Sequence, residues 1–208
     1  MEKKIILVGG GGHALSLLEA LPRAENVAGY LSLAPSQSMT VEWLGTDSDA
    51  PSFKNDHLFH IAFVYAGLPL MKKRRLLIDK FEEMGVGFAS IVAPSALVTR
   101  NSSVGEGSAV LNNAVINRAH LGRNVVVNTG AIVEHDCVIG SNSFIGPGAV
   151  MGGNVKIGEN CFIGLGTRIK NGVTITDNIS VGMGAIIDRD LTEPGIYHGI
   201  PLRFHPVK

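Results

Sequence analysis

The amino-acid sequence predicts an α/β unit with a Rossmann-like parallel sheet over residues 1–92, followed by a left-handed parallel β-helix with a short tail over residues 93–208. Segments typical of strands and helices alternate in the first part, whereas a six-residue period runs through the second. The 26 glycines and the aromatic content of 6% suit short strands with many tight turns better than a helical bundle.

The N-terminal unit is predicted from apolar strands that alternate with helical spacing. Strands are predicted at residues 3–8 (KKIILV), 26–33 (NVAGYLSL), 41–44, 61–65 (IAFVY) and 88–92 (FASIV). Helices are predicted at residues 13–24 and 70–84, and the rest of residues 34–60 reads as loop. Because strands and helices alternate, the sheet should be parallel.

The β-helix is predicted from twelve hexads that begin at Leu121. Every first position is aliphatic or Met, and every fourth position is Asn, Gly or Asp, the residues that tolerate a positive φ. A weaker set extends the pattern upstream, with one residue missing before Leu121, at Val98, Val104, Val110 and Ile116. Each hexad then supplies one short strand and one corner, and three hexads form a coil, so residues 18 apart stack.

Polar exceptions to the repeat gather around His135. Asn128 and Glu134 stand at second hexad positions, where glycine is usual, and His135 holds a third position that should point outward near a corner. Gly153 lies 18 residues on, so its bare backbone is predicted one coil from the imidazole. An ordinary surface histidine is the alternative interpretation, and Asp136 occupies a corner position that explains it without any function.

A second edge of the predicted prism carries an apolar stripe. Pro147, Leu165 and Met183 hold third positions in successive coils, whereas other third positions are mostly polar or glycine. This stripe indicates either a subunit contact or a wall for a long, partly apolar cofactor.

Charge and composition argue against several classes of partner. Lys plus Arg equals Asp plus Glu at 18 each, which leaves no net positive field for nucleic acid or an anionic membrane surface. No apolar run suits a signal peptide or a membrane span, and Cys137 and Cys161 lack a paired framework, so a cytoplasmic protein is expected. Cys137 should fill the core from an inward position. No metal is expected, although a zinc enzyme using His120, His135 and a C-terminal histidine is an alternative.

Taken together, ILVGGGGHA, VAPSALV, NTGAIVEHDCVIG, GGNVKIGENCFIG and GIPLR resemble the hexapeptide acyltransferases. The resemblance is closer to bacterial sugar acyltransferases that join a Rossmann-like domain to a left-handed β-helix. These include N-acetyltransferases of nucleotide-linked amino sugars and sialic acid O-acetyltransferases. The resemblance implies an acetyl-CoA-dependent transfer to a sugar in a ternary complex, in a homotrimer that serves glycan biosynthesis.

The resemblance also assigns roles to residues. It implies that His135 is the general base, that Asp136 raises its basicity and that Asn128 lies close to the same site. The backbone amide of Gly153 would face the thioester carbonyl. The acyl-CoA groove would be lined by Phe144, Leu165 and Met183, although relatives often carry a histidine at the position of Phe144.

The glycine loop that precedes His13 is expected to bind the acceptor. Residues 9–14 also fit the G-x-G-x-x-A pattern of NAD sites, but the acidic ribose partner is absent at Ser32-Leu33. The resemblance implies instead that Gly11, Gly12 and His13 hold the phosphates or sugar of the acceptor. Relatives often have an Asp-Asp pair at Ser32-Leu33 and Ile-Gly-Asn or Ile-Gly-Asp at residues 64–66.

The acceptor group is therefore expected to be the amine of a nucleotide-linked sugar. The alternatives are O-acetylation of a sialic acid or another sugar hydroxyl, and a non-catalytic trimeric module whose stripe serves association alone.

Overall fold

The structure, a computed structural model, describes residues 3–21, 26–64, 67–199 and 202–206. Its N-terminal unit contains strands β1 (Lys4–Val8), β2 (Val27–Leu31), β3 (Trp43–Gly45) and β4 (His57–Ile61), and helices α1 (Gly12–Ala20) and α2 (Leu68–Glu83). The four strands are parallel and lie in the order β3-β2-β1-β4. A 3-10 helix covers Asp47–Ser52.

The two helices cover opposite faces of this sheet because alternate strand residues point in opposite directions. Leu7 and Tyr30 pack with α1, and Ile6 and Phe59 pack in the cluster that contains Phe81 of α2. The predicted strand at 61–65 was wrong in position, since β4 ends at Ile61 and Tyr65 lies outside the described residues. The helix predicted at 13–24 corresponds to α1, which ends at Ala20, and residues 22–25 lie outside the described residues.

The second part of the chain is a β-helix with three sheets as its faces. The β-helix strands are β5 (Ile91–Val92), β6 (Leu97–Val98), β7 (Ser103–Val104), β8 (Ala109–Val110), β9 (Val115–Ile116), β10 (His120–Leu121), β11 (Val126–Val127), β12 (Ile132–Val133), β13 (Val138–Ile139), β14 (Phe144–Ile145), β15 (Val150–Met151), β16 (Lys156–Ile157), β17 (Phe162–Ile163), β18 (Arg168–Ile169), β19 (Thr174–Ile175), β20 (Ile179–Val181), β21 (Ile186–Ile187), β22 (Gly195–His198) and β23 (Arg203–His205). The first face has the order β23-β22-β20-β17-β14-β11-β8-β5, the second β21-β18-β15-β12-β9-β6 and the third β19-β16-β13-β10-β7. The strands of each face are parallel, except that β23 is antiparallel to β22.

The hexad pattern accounts for the coil geometry. First and fifth positions point inward and form one continuous core, and eleven of the twelve fourth positions have a positive φ, Asp190 being the exception. Strand partners are 18 residues apart in most of the coils, as in Ile132↔Val150. The missing residue reduces the step to 17 at Ser103↔His120, Ala109↔Val126 and Val115↔Ile132, and Ile179 pairs with Gly195 at the C-terminal end. The corners form three edges: the first edge joins the first and second faces, the second edge joins the second and third, and the third edge joins the third and first.

The N-terminal unit packs on the first face of the β-helix. Outward residues Ala109, Val126 and Phe144 of that face share one buried cluster with Leu17 of α1. Strand β5, which the sequence placed at the end of the N-terminal unit, pairs with β8 and so opens the β-helix. The edge opposite this face therefore points away from the N-terminal unit.

Candidate active site

His135 lies on the second edge, directly over the backbone of Gly153. A Cβ atom added at Gly153 would lie 2.5 Å from Cε1 and Nε2 of His135 and 3.0 Å from Nδ1. The stacking of residues 18 apart produces this contact, and the next coil bonds in the same register through Asn154 N–H to the His135 carbonyl at 2.8 Å. Only glycine at 153 leaves room for the imidazole in this position.

Asp136 orients the imidazole through a short hydrogen bond. Nδ1 of His135 lies 2.9 Å from Oδ2 of Asp136, and both side chains are about half exposed, at 53% and 56%. This hydrogen bond lowers the pKa of the Asp136 carboxyl, and the Arg118 guanidinium, 3.7 Å from Oδ1, lowers it further. An ionised Asp136 favours the tautomer with the proton on Nδ1, so Nε2 carries a lone pair. Among the described residues, no group bonds Nε2.

Asp136 also forms its corner, since its φ is +61°. One oxygen of Glu134, Oε2, accepts two hydrogen bonds, from Asn117 Nδ2 at 2.8 Å and from the His135 backbone N–H at 3.2 Å. These contacts fix the corner that carries His135.

The N–H of Gly153 has no acceptor within the described chain, whereas its carbonyl accepts from Gly172 N–H at 2.9 Å.

Asn128 lies on the first edge and His135 on the second, so one chain does not bring the two side chains together. Strand β12 separates them, and Oδ1 of Asn128 accepts from the N–H of Thr129 at 2.7 Å. The seven-residue spacing crosses a whole face of the prism, so the expectation that Asn128 lies close to the site of His135 stays a prediction.

The apolar stripe also lies on the first edge. Leu165 is 53% exposed and Met183 is 74% exposed, and Pro147 lies one coil earlier. On the adjacent second face, the outward side chains of Leu97, Val150 and Ile186 are exposed as well. Apolar side chains thus extend from the stripe toward the edge that carries His135, with the exposed Arg168 between Val150 and Ile186.

Phe144 does not belong to this open surface. Its side chain is 7% exposed, lies in the cluster beneath the N-terminal unit and stacks on Phe162 with ring centroids 5.1 Å apart. The structure therefore argues against its expected role in lining a cofactor groove. Phe144 points outward from the β-helix, but the N-terminal unit covers that face.

The glycine loop opens onto two cavities at the carboxyl ends of the N-terminal strands. Gly11 is the N-cap of α1 and Gly12 its first residue; both are exposed, and an added Cβ would meet no atom within 4 Å. A cavity of about 130 Å³ is lined by residues 9–13 and 62–64, and a larger one of about 470 Å³ also begins at Gly9 and Gly10. Free N–H groups at a helix N-terminus favour anionic groups there.

His13 is largely buried beside two groups that the sequence did not single out. Burial first, then the charges of His60 and Arg74, lower the pKa of His13 to about 3. Burial lowers the pKa of His60 to about 4 and that of Arg74 to about 10. The Nε2 atoms of both histidines and Nη2 of Arg74 are buried without a partner in the described part of the chain.

Arg74 joins the N-terminal unit to the third edge of the β-helix. Its Nε donates to the Phe63 carbonyl at 3.0 Å, and its Nη1 donates to the Asn124 carbonyl at 2.9 Å and to Oδ1 of Asn142. An arginine within the run KKRR is easily taken for a solvated residue, and no local pattern separates it from its neighbours.

Both cysteines are buried in the β-helix core. Cys137 and Cys161 are buried and free, and burial raises the pKa of both thiols, that of Cys161 to about 11. Across residues 3–21, 26–64, 67–199 and 202–206, no group of three or more His, Cys, Asp or Glu could hold a metal ion. None of the helices described in these ranges is long and apolar enough to cross a membrane.

Comparison with known proteins identifies the family. Residues 118–153 match the bacterial transferase hexapeptide family (six repeats), and residues 154–189 match the hexapeptide repeat of succinyl-transferase. PerB from Caulobacter crescentus, solved in complex with CoA and GDP-perosamine, is 30% identical with a TM-score of 0.87, over 99% of this chain and 98% of that one. The chain belongs to the hexapeptide-repeat sugar acetyltransferases.

A second member of the family has the same arrangement over its whole length. The acetyltransferase domain of PglB from Neisseria gonorrhoeae FA1090, solved in complex with acetyl coenzyme A, is 26% identical with a TM-score of 0.89. The match covers 99% of this chain and 100% of that one. Among curated protein sequences, none matches this sugar acetyltransferase significantly.

Proposed function

We propose that this sugar acetyltransferase moves the acetyl group of acetyl-CoA to the amine of a nucleotide-linked amino sugar. The observation that carries the proposal is the imidazole of His135 held over the bare backbone of Gly153, with Nδ1 bound to Asp136 and Nε2 free. This arrangement gives one group that accepts a proton and, beside it, an N–H without an acceptor.

The proposed reaction takes place directly between the two substrates. The sugar amine attacks the thioester carbonyl, and Nε2 of His135 takes the proton that the nitrogen loses. The oxygen of the tetrahedral intermediate becomes negative and is stabilised by the Gly153 N–H. When the C–S bond breaks, CoA leaves as a thiolate and receives the proton from His135, which leaves the amide product and a neutral imidazole. Asp136 stabilises the transient imidazolium, and no acyl-enzyme is needed.

The complete site is proposed to form between two copies of the chain in a homotrimer. The acceptor cavities lie in the N-terminal unit, which packs on the first face, whereas His135 lies on the opposite edge of the prism. A sugar bound in one N-terminal unit therefore lies away from the His135 of its own chain. The exposed apolar surface of the second face and first edge would be covered by the neighbouring copy, with acetyl-CoA along Leu165 and Met183.

The acceptor phosphates would bind at the start of α1. The backbone N–H groups of Gly11 and Gly12 are exposed there, and His13 lies just behind them. Because burial keeps His13 neutral above a pKa of about 3, it contributes a hydrogen bond and no charge at neutral pH.

A thiol-release assay with acetyl-CoA tests the proposal. Nucleotide-linked amino sugars and the corresponding hydroxyl sugars are compared as acceptors, and only the amino sugars should release CoA at an appreciable rate. His135→Ala should lower kcat by about 10² to 10⁴, the usual contribution of a general base. His57→Ala is the matched control, since His57 begins β4 at the end of the sheet opposite the cavities. Faster transfer to hydroxyl sugars, or normal kcat in His135→Ala, would contradict the proposal.

Mixing two inactive variants tests whether the site forms between copies. Gly12→Asp places a carboxylate against the acceptor phosphates in open space, and His135→Ala removes the base. Each variant should be inactive alone, but mixed trimers from co-expression should recover about a quarter of the activity, because random pairing restores that share of the sites. A mixture that stays inactive would show that each chain supplies both parts of its own site.

A further inference from the structure

The larger cavity has a distinct charge pattern. Its volume is about 470 Å³, and it lies at the carboxyl ends of the N-terminal strands. Of the lining residues within the described ranges, only Asp47 and Lys73 are charged, while Leu33 and Leu77 supply apolar surface. Leu33 is 94% exposed, so a flat ligand could cover it. The cavity therefore combines apolar surface with one acceptor group and one cationic donor.

The strand order indicates which part of a nucleotide reaches Asp47. In parallel α/β sheets, phosphates bind at the first βα turn and the ribose at the end of the second strand. Here the first turn is the glycine loop after β1, and β2 leads to Ser32. The sheet order is β3-β2-β1-β4, and Asp47 follows β3, one strand beyond the ribose position. The next group along this edge is the base.

The turn that carries Asp47 is well ordered by its own contacts. Asp49 Oδ2 accepts from the backbone N–H of Thr46 at 2.8 Å and lies 3.0 Å from the Thr46 hydroxyl, which closes a capping box. Asp49 is thereby occupied, whereas the Asp47 carboxylate has only Lys80 at 3.4 Å and faces the cavity. Lys73 has no ion-pair partner in the described part of the chain.

We infer that this cavity selects guanine as the base of the acceptor, with Asp47 and Lys73 as its specificity determinants. Guanine presents two adjacent donors, N1–H and the N2 amino group, which a carboxylate accepts together, and its O6 accepts from an ammonium group. Uracil and thymine offer a single N–H between two carbonyl oxygens, which a carboxylate repels. Adenine presents one donor beside a ring nitrogen acceptor, so it also leaves the carboxylate poorly matched.

The inference rests on the proposed function, in which the acceptor is a nucleotide-linked sugar, and it names the nucleotide. The lack of an acidic residue at Ser32-Leu33 makes Asp47 the only carboxylate among the described residues that line the cavity. Its charge is then directed to the base instead of to the ribose hydroxyls.

Calorimetric titration of the whole protein with nucleoside diphosphates tests the inference. GDP should bind at least about tenfold more tightly than UDP, dTDP or ADP. Inosine diphosphate lacks only the N2 amino group, so it should bind about tenfold more weakly than GDP, the usual effect of one charge-assisted hydrogen bond. Asp47→Asn should bind GDP and inosine diphosphate equally.

Two control variants separate base recognition from other effects. Asp79→Asn removes a carboxylate that pairs with Arg75 on the surface of α2, and it should keep the preference for GDP. Lys80→Met breaks the ion pair to Asp47 without removing the carboxylate, and it should keep the discrimination against inosine diphosphate. Loss of discrimination in Lys80→Met would assign the effect to the ion pair and overturn the role of Asp47.

The outcomes separate this inference from the proposed function. Equal binding of GDP and inosine diphosphate by the unaltered protein, tighter binding of UDP, or no binding of GDP would overturn the guanine inference. Acetyl transfer to UDP-linked amino sugars alone would also overturn it, while leaving the proposed function intact. Guanine discrimination without acetyl transfer to any amino sugar would support the base assignment and contradict the proposed function.

Discussion

Replacing Gly153 by alanine should inactivate this sugar acetyltransferase by moving His135. The added Cβ would lie 2.5 Å from Cε1 and Nε2 of the imidazole, about 1 Å closer than the usual contact between such atoms. The backbone at 153 does not have a positive φ, so alanine itself adds no strain there. The ring is half exposed and must therefore swing outward, away from Asp136. A displacement of about 1 Å in a reacting group costs about 10² in rate.

Steady-state thiol release and urea unfolding together measure this effect. In Gly153→Ala, kcat should fall about 100-fold, while the free energy of unfolding changes by less than about 1 kcal/mol, because the obstructing atoms end a flexible side chain. Gly87→Ala is the matched control, since its Cβ would meet only the Cδ2 of Leu58, at 2.9 Å, far from the site. It should keep full activity.

A double variant identifies how the added methyl group acts. If it acts through His135, the variant carrying both Gly153→Ala and His135→Ala should be no slower than His135→Ala alone. If the two losses add, the methyl group would instead obstruct the thioester. A normal kcat in Gly153→Ala would refute the reasoning, because the imidazole could then work from another position.

Three further results are expected. Asp136→Asn should keep the positive-φ corner and lower kcat by less than His135→Ala does. It should also move the acidic limb of the kcat/KM profile to lower pH. An unchanged profile would leave Asp136 only its structural role at the corner. Arg74→Met should lower the free energy of unfolding in urea by about 3 kcal/mol, because it removes two buried hydrogen bonds and one partly buried one. Arg75→Met breaks an exposed ion pair and should lower it by under about 0.5 kcal/mol; equal losses would contradict this difference. Folding lowers the pKa of His13 to about 3 and that of His60 to about 4, so their contribution to the free energy of unfolding is complete above the unfolded pKa of 6.5. It is lost as pH falls toward the folded pKa values, by up to about 1.4 kcal/mol per pH unit for each histidine. Urea melts between about pH 7 and 5 should show this decline and His60→Gln should reduce its slope, whereas a flat profile would refute the expectation.

The hexad pattern predicted most of the β-helix because each coil repeats the same local rules. Corner residues, inward residues and the 18-residue step all depend on sequence neighbours, so the contact of His135 with Gly153 could be deduced from the sequence alone. The N-terminal unit lacks such a lattice. The predicted strand at 61–65 was misplaced because β4 contains His57 and His60, which read as polar, although His60 is buried and its Nδ1 lies 2.9 Å from the Ala89 carbonyl.

Long-range packing explains what the sequence left undetermined in the site. The repeat makes the three faces of the prism equivalent, so no local rule indicates which face the N-terminal unit covers. That choice buries Phe144, brings Arg74 against Asn124 and Asn142, and directs the second edge away from the acceptor cavities. The sequence did not single out Asp47 and Lys73 for the same reason, since only the tertiary fold brings both residues to the lining of one cavity.

The separation of His135 from the N-terminal cavities follows from the local rules of the repeat and the long-range packing of the N-terminal unit. A β-helix fixes each corner by short-range rules, so one corner can carry Glu134 in place of the usual glycine, with His135 next to it, while its neighbours keep the core intact. The larger N-terminal cavity lies at the strand ends of a different unit, and that unit occupies the first face. A single chain consequently has His135 and this cavity on opposite sides of the prism. Under the proposed function, a second copy related by a threefold axis would bring the proposed base and the proposed acceptor cavity together.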